Sequence, residues 1–135
     1  MIFDVERMAR EAKDASRVLA KASTALKNRG LKAMAKALRR RARVVLADNA
    51  PEVAAAKAAG RTAAFVDRLT LTPSRLEGVA RALEQVAALP DPVGAVRPFA
   101  RRPNGRSIRR MRVPLGVVAI VYESRPGVTA DAAGL

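Results

Sequence analysis

The sequence predicts an α/β fold: a helical N-terminal region, a β-hairpin and one strand of a parallel sheet. Three observations predict it. Apolar residues recur in steps of three and four through the front of the chain, the pattern of amphipathic helices. The turn Pro103-Asn104-Gly105 separates two extended stretches, and Asn-Gly signals a hairpin because both residues tolerate positive φ. The run LGVVAIVY over 115–122 is apolar without alternation, as in a strand buried on both faces of a parallel sheet.

The elements follow in order. Val5, Met8, Ala12, Ala15, Leu19, Ala22 and Leu26 form one stripe, predicting a single helix over 4–27 that Gly30 ends. Leu31, Met34, Leu38, Ala42 and Val45 predict a second helix over 31–47. Its opposite face carries Lys32, Lys36, Arg39, Arg40 and Arg43. The cluster Arg39–Arg43 has the look of a nucleic-acid patch. Beside so clear an apolar stripe it is better read as a solvated face. Asn49 is placed to cap a short third helix, with Pro51 in its first turn and Gly60 after its end. One or two turns are expected in TAAFVDRL. Thr72 and Pro73 open a further helix with Leu76, Val79, Ala80, Leu83 and Val86 inward. Pro90 and Pro92 stop it. Three segments result: the helical part (1–92), the basic hairpin (93–113), and the strand, loop and helix start (114–135).

Composition narrows the chemistry. The 135 residues contain no Cys and no His, which excludes disulfides, a Cys nucleophile, a His base and zinc sites built on those residues. No metal site is expected. No apolar run approaches transmembrane length, and the N-terminus has no secretory h-region. A cytoplasmic protein that does not bind membrane is expected. The net charge is +14, which admits a polyanionic partner. Seven arginines fall between Arg97 and Arg112, and no acid occurs from Val93 to Tyr122. A basic ribbon of this kind can enter a DNA groove or pair with another subunit, and spacing alone leaves both open. The alternative function is therefore a basic helical nucleic-acid-binding protein, although the chain has no recognised nucleic-acid motif.

A strand such as 115–122 needs parallel neighbours, and the sequence supplies no second run of that kind. Alone it would present open edges. The chain is expected to be the front portion of a larger α/β protein. In open α/β sheets ligands lie beyond the carboxyl ends of the strands, which puts ESRPGVT (123–129) at a ligand crevice. Thr129, with Asp131 in the first turn, is expected to cap the final helix. Tyr122 is read as packing.

The segments DRLTLTPSRLEGVARALEQVAALPDPVG (67–94), RPNG (102–105) and RVPLGVVAIVYESRPGVTADAAGL (112–135) together resemble the gamma-glutamyl phosphate reductase family. These enzymes, also called glutamate-5-semialdehyde dehydrogenases, belong to the aldehyde dehydrogenase superfamily. The resemblance implies the N-terminal part of an aldehyde-dehydrogenase-like fold, left incomplete. Residues 1–92 would be the helical part of the cofactor-binding domain, and 114–135 its first Rossmann-like strand, loop and helix start. It implies NADPH-dependent reduction of gamma-glutamyl phosphate in proline biosynthesis, with NADP+ released. Partnership with glutamate 5-kinase and homo-oligomerisation through the hairpin are also implied for the full-length enzyme.

By the same resemblance, Glu123, Ser124, Arg125 and Pro126 form the loop beside the cofactor's nicotinamide end and the acyl substrate. Arg125 can pair with a substrate carboxylate or phosphate, or equally tie the loop to its domain. The family works through a Cys thiolate, an effective nucleophile near neutral pH. With no Cys present, these 135 residues are expected to be inactive alone. The family pattern SRPNVT has Asn where this chain has Gly127. That Asn donates to the developing oxyanion, and losing one such donor typically costs about 10²–10³ in rate.

Overall fold

Capping chemistry sets where several helices begin. In the computed structural model, which describes residues 4–135, Asp4 accepts a hydrogen bond from the Arg7 N–H and opens α1 (Val5–Leu19). α2 spans Thr24–Arg40 and α3 Ala42–Ala58. Thr62 accepts from the Phe65 N–H at the start of α4 (Ala63–Leu69). Thr72 accepts from the Arg75 N–H at the start of α5 (Pro73–Ala88), with Pro73 in the first turn. The strands are β1 (Val96–Arg101) and β2 (Ser107–Met111), followed by α6 (Val128–Gly134). No described helix is long and apolar enough to cross a membrane. The chain divides into two units, residues 4–23 with Pro90–Ala119, and Thr24–Leu89 with Ile120–Leu135.

In the first unit, α1 carries its ion pairs along one turn spacing, Arg10 to Glu6 at 2.5 Å and Arg17 to Asp14 at 3.0 Å. It buries no side chain, and Val5, Met8, Val18 and Leu19 are exposed. β1 and β2 pair antiparallel, with Val96 opposite Met111 and Arg101 opposite Ser107. The register shifts between Pro98 and Ala100. Phe99, in that shift, lies under the Arg110 guanidinium at 3.6 Å from the ring centre. The turn closes with Arg102 N–H donating to the Arg106 carbonyl and Gly105 N–H to the Arg102 carbonyl. Gly105 has φ +79°, the left-handed conformation the Asn-Gly signal anticipates.

The second unit holds the core. Ala35 of α2 and Ala80 and Leu83 of α5 are buried together, with Leu31, Met34, Leu38 and Ala130 packed around them. Alanine at the contact lets two helices approach closely. On the solvent side of the same pairing, Arg39 reaches from α2 to two α5 carboxylates. It donates from Nε and Nη2 to Glu77 at 2.9 Å each, and from Nη1 and Nη2 to Glu84 at 2.5 and 2.9 Å. These bonds favour every charged form. The hydrogen bonds to Glu84 and Glu77 push the Arg39 pKa further up, and the bonds from Arg39 push both carboxylates down. Arg39 is thus a helix–helix clamp within the cluster read as a solvated face.

Helix boundaries differ from the sequence expectation in three places. The single helix over 4–27 is broken after Leu19, and α2 starts beyond Ser23, a residue type favoured at helix starts. Gly30 sits inside α2, where its cost of about 1 kcal/mol is offset by packing on α5. The break falls at Arg41 instead, at φ −98° and ψ 9°. Asn49 is not a cap. It lies buried inside α3, with Pro51 also inside that helix. Its amide donates to the Leu69 carbonyl at 3.0 Å and accepts from the Leu71 N–H at 2.7 Å. The side chain serves the end of α4 rather than its own helix.

The parallel strand expected over 115–122 is not formed within the described residues. No strand pairing falls between 112 and 122, and Leu115, Val118, Ile120 and Val121 are exposed. A strand exists through its ladder, and no parallel partner is present among the described residues.

Candidate functional site

The loop after that run is built from the second unit. Ser124 has φ +56°, a left-handed conformation that is uncommon for a residue other than glycine and costs of order 1 kcal/mol. The Val128 N–H then donates to the Arg125 carbonyl at 3.0 Å, closing a turn over Pro126 and Gly127. Gly127 becomes the residue before α6, with φ −69° and ψ −27°. The N–H groups of Ala130 and Asp131 both donate to its carbonyl.

Gly127 lies close against α5. A Cβ at this position would stand 3.2 Å from Val79 Cγ2. At the other end of α6, a Cβ at Gly134 would overlap Leu83 Cδ2. Gly127, Ala130 and Gly134 recur at three and four, so one slim face of α6 rests on α5.

The four loop residues of the expected site share one short segment, and two concave surfaces of the chain do not include them. Glu123 and Arg125 are exposed, and Ser124 and Pro126 are half-buried. The side chains of Glu123, Ser124 and Arg125 have no hydrogen-bond or ion-pair partner among the described residues. Arg125 makes no polar side-chain contact to its own unit among the described residues. Thr129 does not cap α6. Its Oγ1 instead lies 2.5 Å from the Tyr122 hydroxyl, which the packing reading of Tyr122 missed. Only a side-chain contact across seven residues could have revealed the pair, and no periodic pattern encodes it.

Two concave surfaces lie elsewhere. One is bounded by Arg102, Pro103, Asn104, Arg106 and Ile108 at the hairpin turn. Another lies beside α4, where Lys57, Arg61, Asp67 and Arg75 contribute. In the latter, Arg75 is held by Asp67 and by the Asp67 and Thr70 carbonyls. No cluster of three or more His, Cys, Asp or Glu side chains placed to hold a metal ion occurs among the described residues. The loop offers one cation, one hydroxyl and one carboxylate, on Arg125, Ser124 and Glu123. Arg125, through its guanidinium, and Ser124, through its hydroxyl, are the groups of this loop able to hydrogen-bond an anionic cofactor.

No protein-family model matches the chain. The chain is 54% identical over 132 residues to the gamma-glutamyl phosphate reductase of Anaeromyxobacter sp. (strain Fw109-5), covering 98% of itself and 31% of that protein. It is 57% identical over 125 residues to the enzyme of the same name from Rhodopseudomonas palustris (strain HaA2), covering 93% and 29%. Two crystal structures of gamma-glutamyl phosphate reductases share the fold. The Thermotoga maritima enzyme gives a TM-score of 0.90 at 36% identity, over 98% of this chain and 32% of that one. The Saccharomyces cerevisiae enzyme gives 0.89 at 26%, over 99% and 34%. The chain thus spans about 30% of the length of the curated relatives it matches, and what it matches is their N-terminal portion.

Proposed function

We propose that this chain, a homologue of the N-terminal portion of gamma-glutamyl phosphate reductases, supplies the substrate-side loop for that enzyme's reaction. The single observation that carries the reading is the 54% identity to a curated reductase over 98% of the chain. The reaction converts an acyl phosphate to an aldehyde, with a hydride and a proton gained and phosphate released. NADPH would supply the hydride. The substrate, gamma-glutamyl phosphate, is the product expected of glutamate 5-kinase, and the work is assigned to the cytoplasm.

Within that reaction Arg125 is assigned to an oxyanion of the substrate or cofactor. Its planar fork suits a carboxylate or phosphate, and its lack of a partner among the described residues leaves it available. Glu123, Ser124 and Pro126 shape the same loop. The arginine-rich hairpin, 93–113, is assigned to contact with another subunit. The absence of Cys from the sequence makes the 135 residues inactive alone, because an acyl transfer through a thiolate has no nucleophile here.

A chimera tests this. The matched 132 residues of the Anaeromyxobacter reductase are replaced by this chain, and NADPH oxidation is followed with gamma-glutamyl phosphate. The expected result is turnover by the chimera and none by the chain alone. Arg125→Ala in the chimera should raise KM about 10- to 100-fold, the usual loss for a hydrogen bond to a charged group. A folded chimera with no turnover overturns the reading, as does turnover by the chain alone.

A further inference from the structure

We propose that Tyr122 and Thr129 are positioning residues, a hydroxyl clasp that holds the loop 123–128 in its ligand-ready form. The inference rests on the reading of that loop as a binding loop. The two hydroxyls lie 2.5 Å apart, on residues immediately flanking the loop. Between them, Ser124 holds a left-handed backbone at φ +56°. The Arg125–Val128 turn and the seat of Gly127 against Val79 fix the far half. The near half, Glu123 to Arg125, has no such fastening apart from the clasp. It is also the half that carries the unpartnered Glu123 and Arg125 side chains.

The geometry separates these roles. Tyr122 and Thr129 are engaged with each other through one hydrogen bond, whereas the Arg125 side chain has no partner among the described residues. An uncommon backbone conformation persists where surrounding contacts over-determine it. The clasp is the contact that joins the strand-side end of the loop to α6. Releasing it lowers the fraction of molecules with Arg125 in place. Apparent affinity then falls by that fraction, without change to the reacting groups.

The test has two arms. In the 135-residue chain, Tyr122→Phe and Thr129→Val should each speed amide exchange across Ser124–Val128 by about 3- to 10-fold, the size of one net hydrogen bond. The double variant should exchange no faster than either single one, and Thr129→Ser should restore slow exchange. In the chimera, Tyr122→Phe and Thr129→Val should raise KM at least twofold while kcat holds. Unchanged exchange, or additive effects in the double variant, overturns the clasp. Faster exchange with unchanged KM overturns the positioning role. If Arg125→Ala leaves the chimera's KM unchanged, the binding reading of the loop fails, and the exchange arm still judges the clasp separately.

Discussion

At the residue scale, Gly127 and Asn49 show how a single position can carry two meanings. On the proposed reading, Gly127 stands where the resembling enzymes place an oxyanion donor. The structure adds a steric fact, since a side chain there meets Val79 at 3.2 Å. Val79 is β-branched and stiff on its helix, so it yields only by a small shift of α5 or α6. In the chimera, Gly127→Asn is expected to raise kcat, by up to about 10²-fold for one donor. Adding Val79→Ala should raise it further, and Val79→Ala alone should give no gain. Equal kcat for Gly and Asn in the Val79→Ala background would remove the donor role. Asn49 is the simpler case. Replacing it by Ala strands the Leu69 carbonyl and the Leu71 N–H in a half-dry site. The expected cost is about 1–3 kcal/mol, read by urea unfolding. Asn49→Asp should cost as much, because it keeps the acceptor but loses the donor. The sequence could not show this bridge, since Asn before Pro at a helix start and Asn bonded across 20 residues look alike in one dimension.

At the scale of elements, the α2–α5 pair was the most legible part of the chain. The spacing of Leu76, Ala80 and Leu83 marks the face that the structure buries, because a core-facing stripe repeats at the helical period. Thr72 and Pro73 open α5 as expected, because their capping chemistry is local. Gly30 misled because propensity is worth about 1 kcal/mol and tertiary packing outweighs it. Arg39 lay in a basic cluster whose partners, Glu77 and Glu84, are 38 and 45 residues away. That clamp makes a pH prediction. Both carboxylates titrate below their ordinary value of 4.5 when folded. The clamp's contribution is therefore complete above about pH 4.5 and is lost as pH falls through the lowered values. Arg39→Gln should lower Tm at pH 7, and the gap to the unaltered chain should close well below pH 4.5. Arg39→Lys should recover only part of it, since an ammonium cannot fork to two carboxylates. A gap that persists in acid would show that Arg39 acts through its aliphatic stem instead.

At the scale of the whole molecule, charge and apolar exposure pull in opposite directions. The chain carries a net charge of +14, which keeps copies apart at low ionic strength. Yet Leu115 and Val121 are 93% and 100% exposed, in a run whose other large side chains are also exposed. The sequence made the run's demand for parallel neighbours legible, and the structure shows that demand unmet among the described residues. Salt decides which effect wins. The Debye length shrinks from about 30 Å at 0.01 M to about 3 Å at 1 M, so repulsion fades while apolar attraction does not. Light scattering from the chain should therefore report growing self-association across that range. Val118→Lys with Val121→Lys should suppress it. A nucleic-acid-binding chain would show the reverse dependence with duplex DNA, its complexes dissolving as salt rises. The chimera separates exposure from demand. There the rest of the reductase can cover 115–122, so the salt effect should vanish. The same two lysines, helpful in the free chain, should then lower the yield of folded enzyme, because they put charge where a sheet is to be built. A free chain that stays monodisperse at 1 M salt would mean the run is already covered, and the reading of 115–122 as an unpaired strand would fall with it.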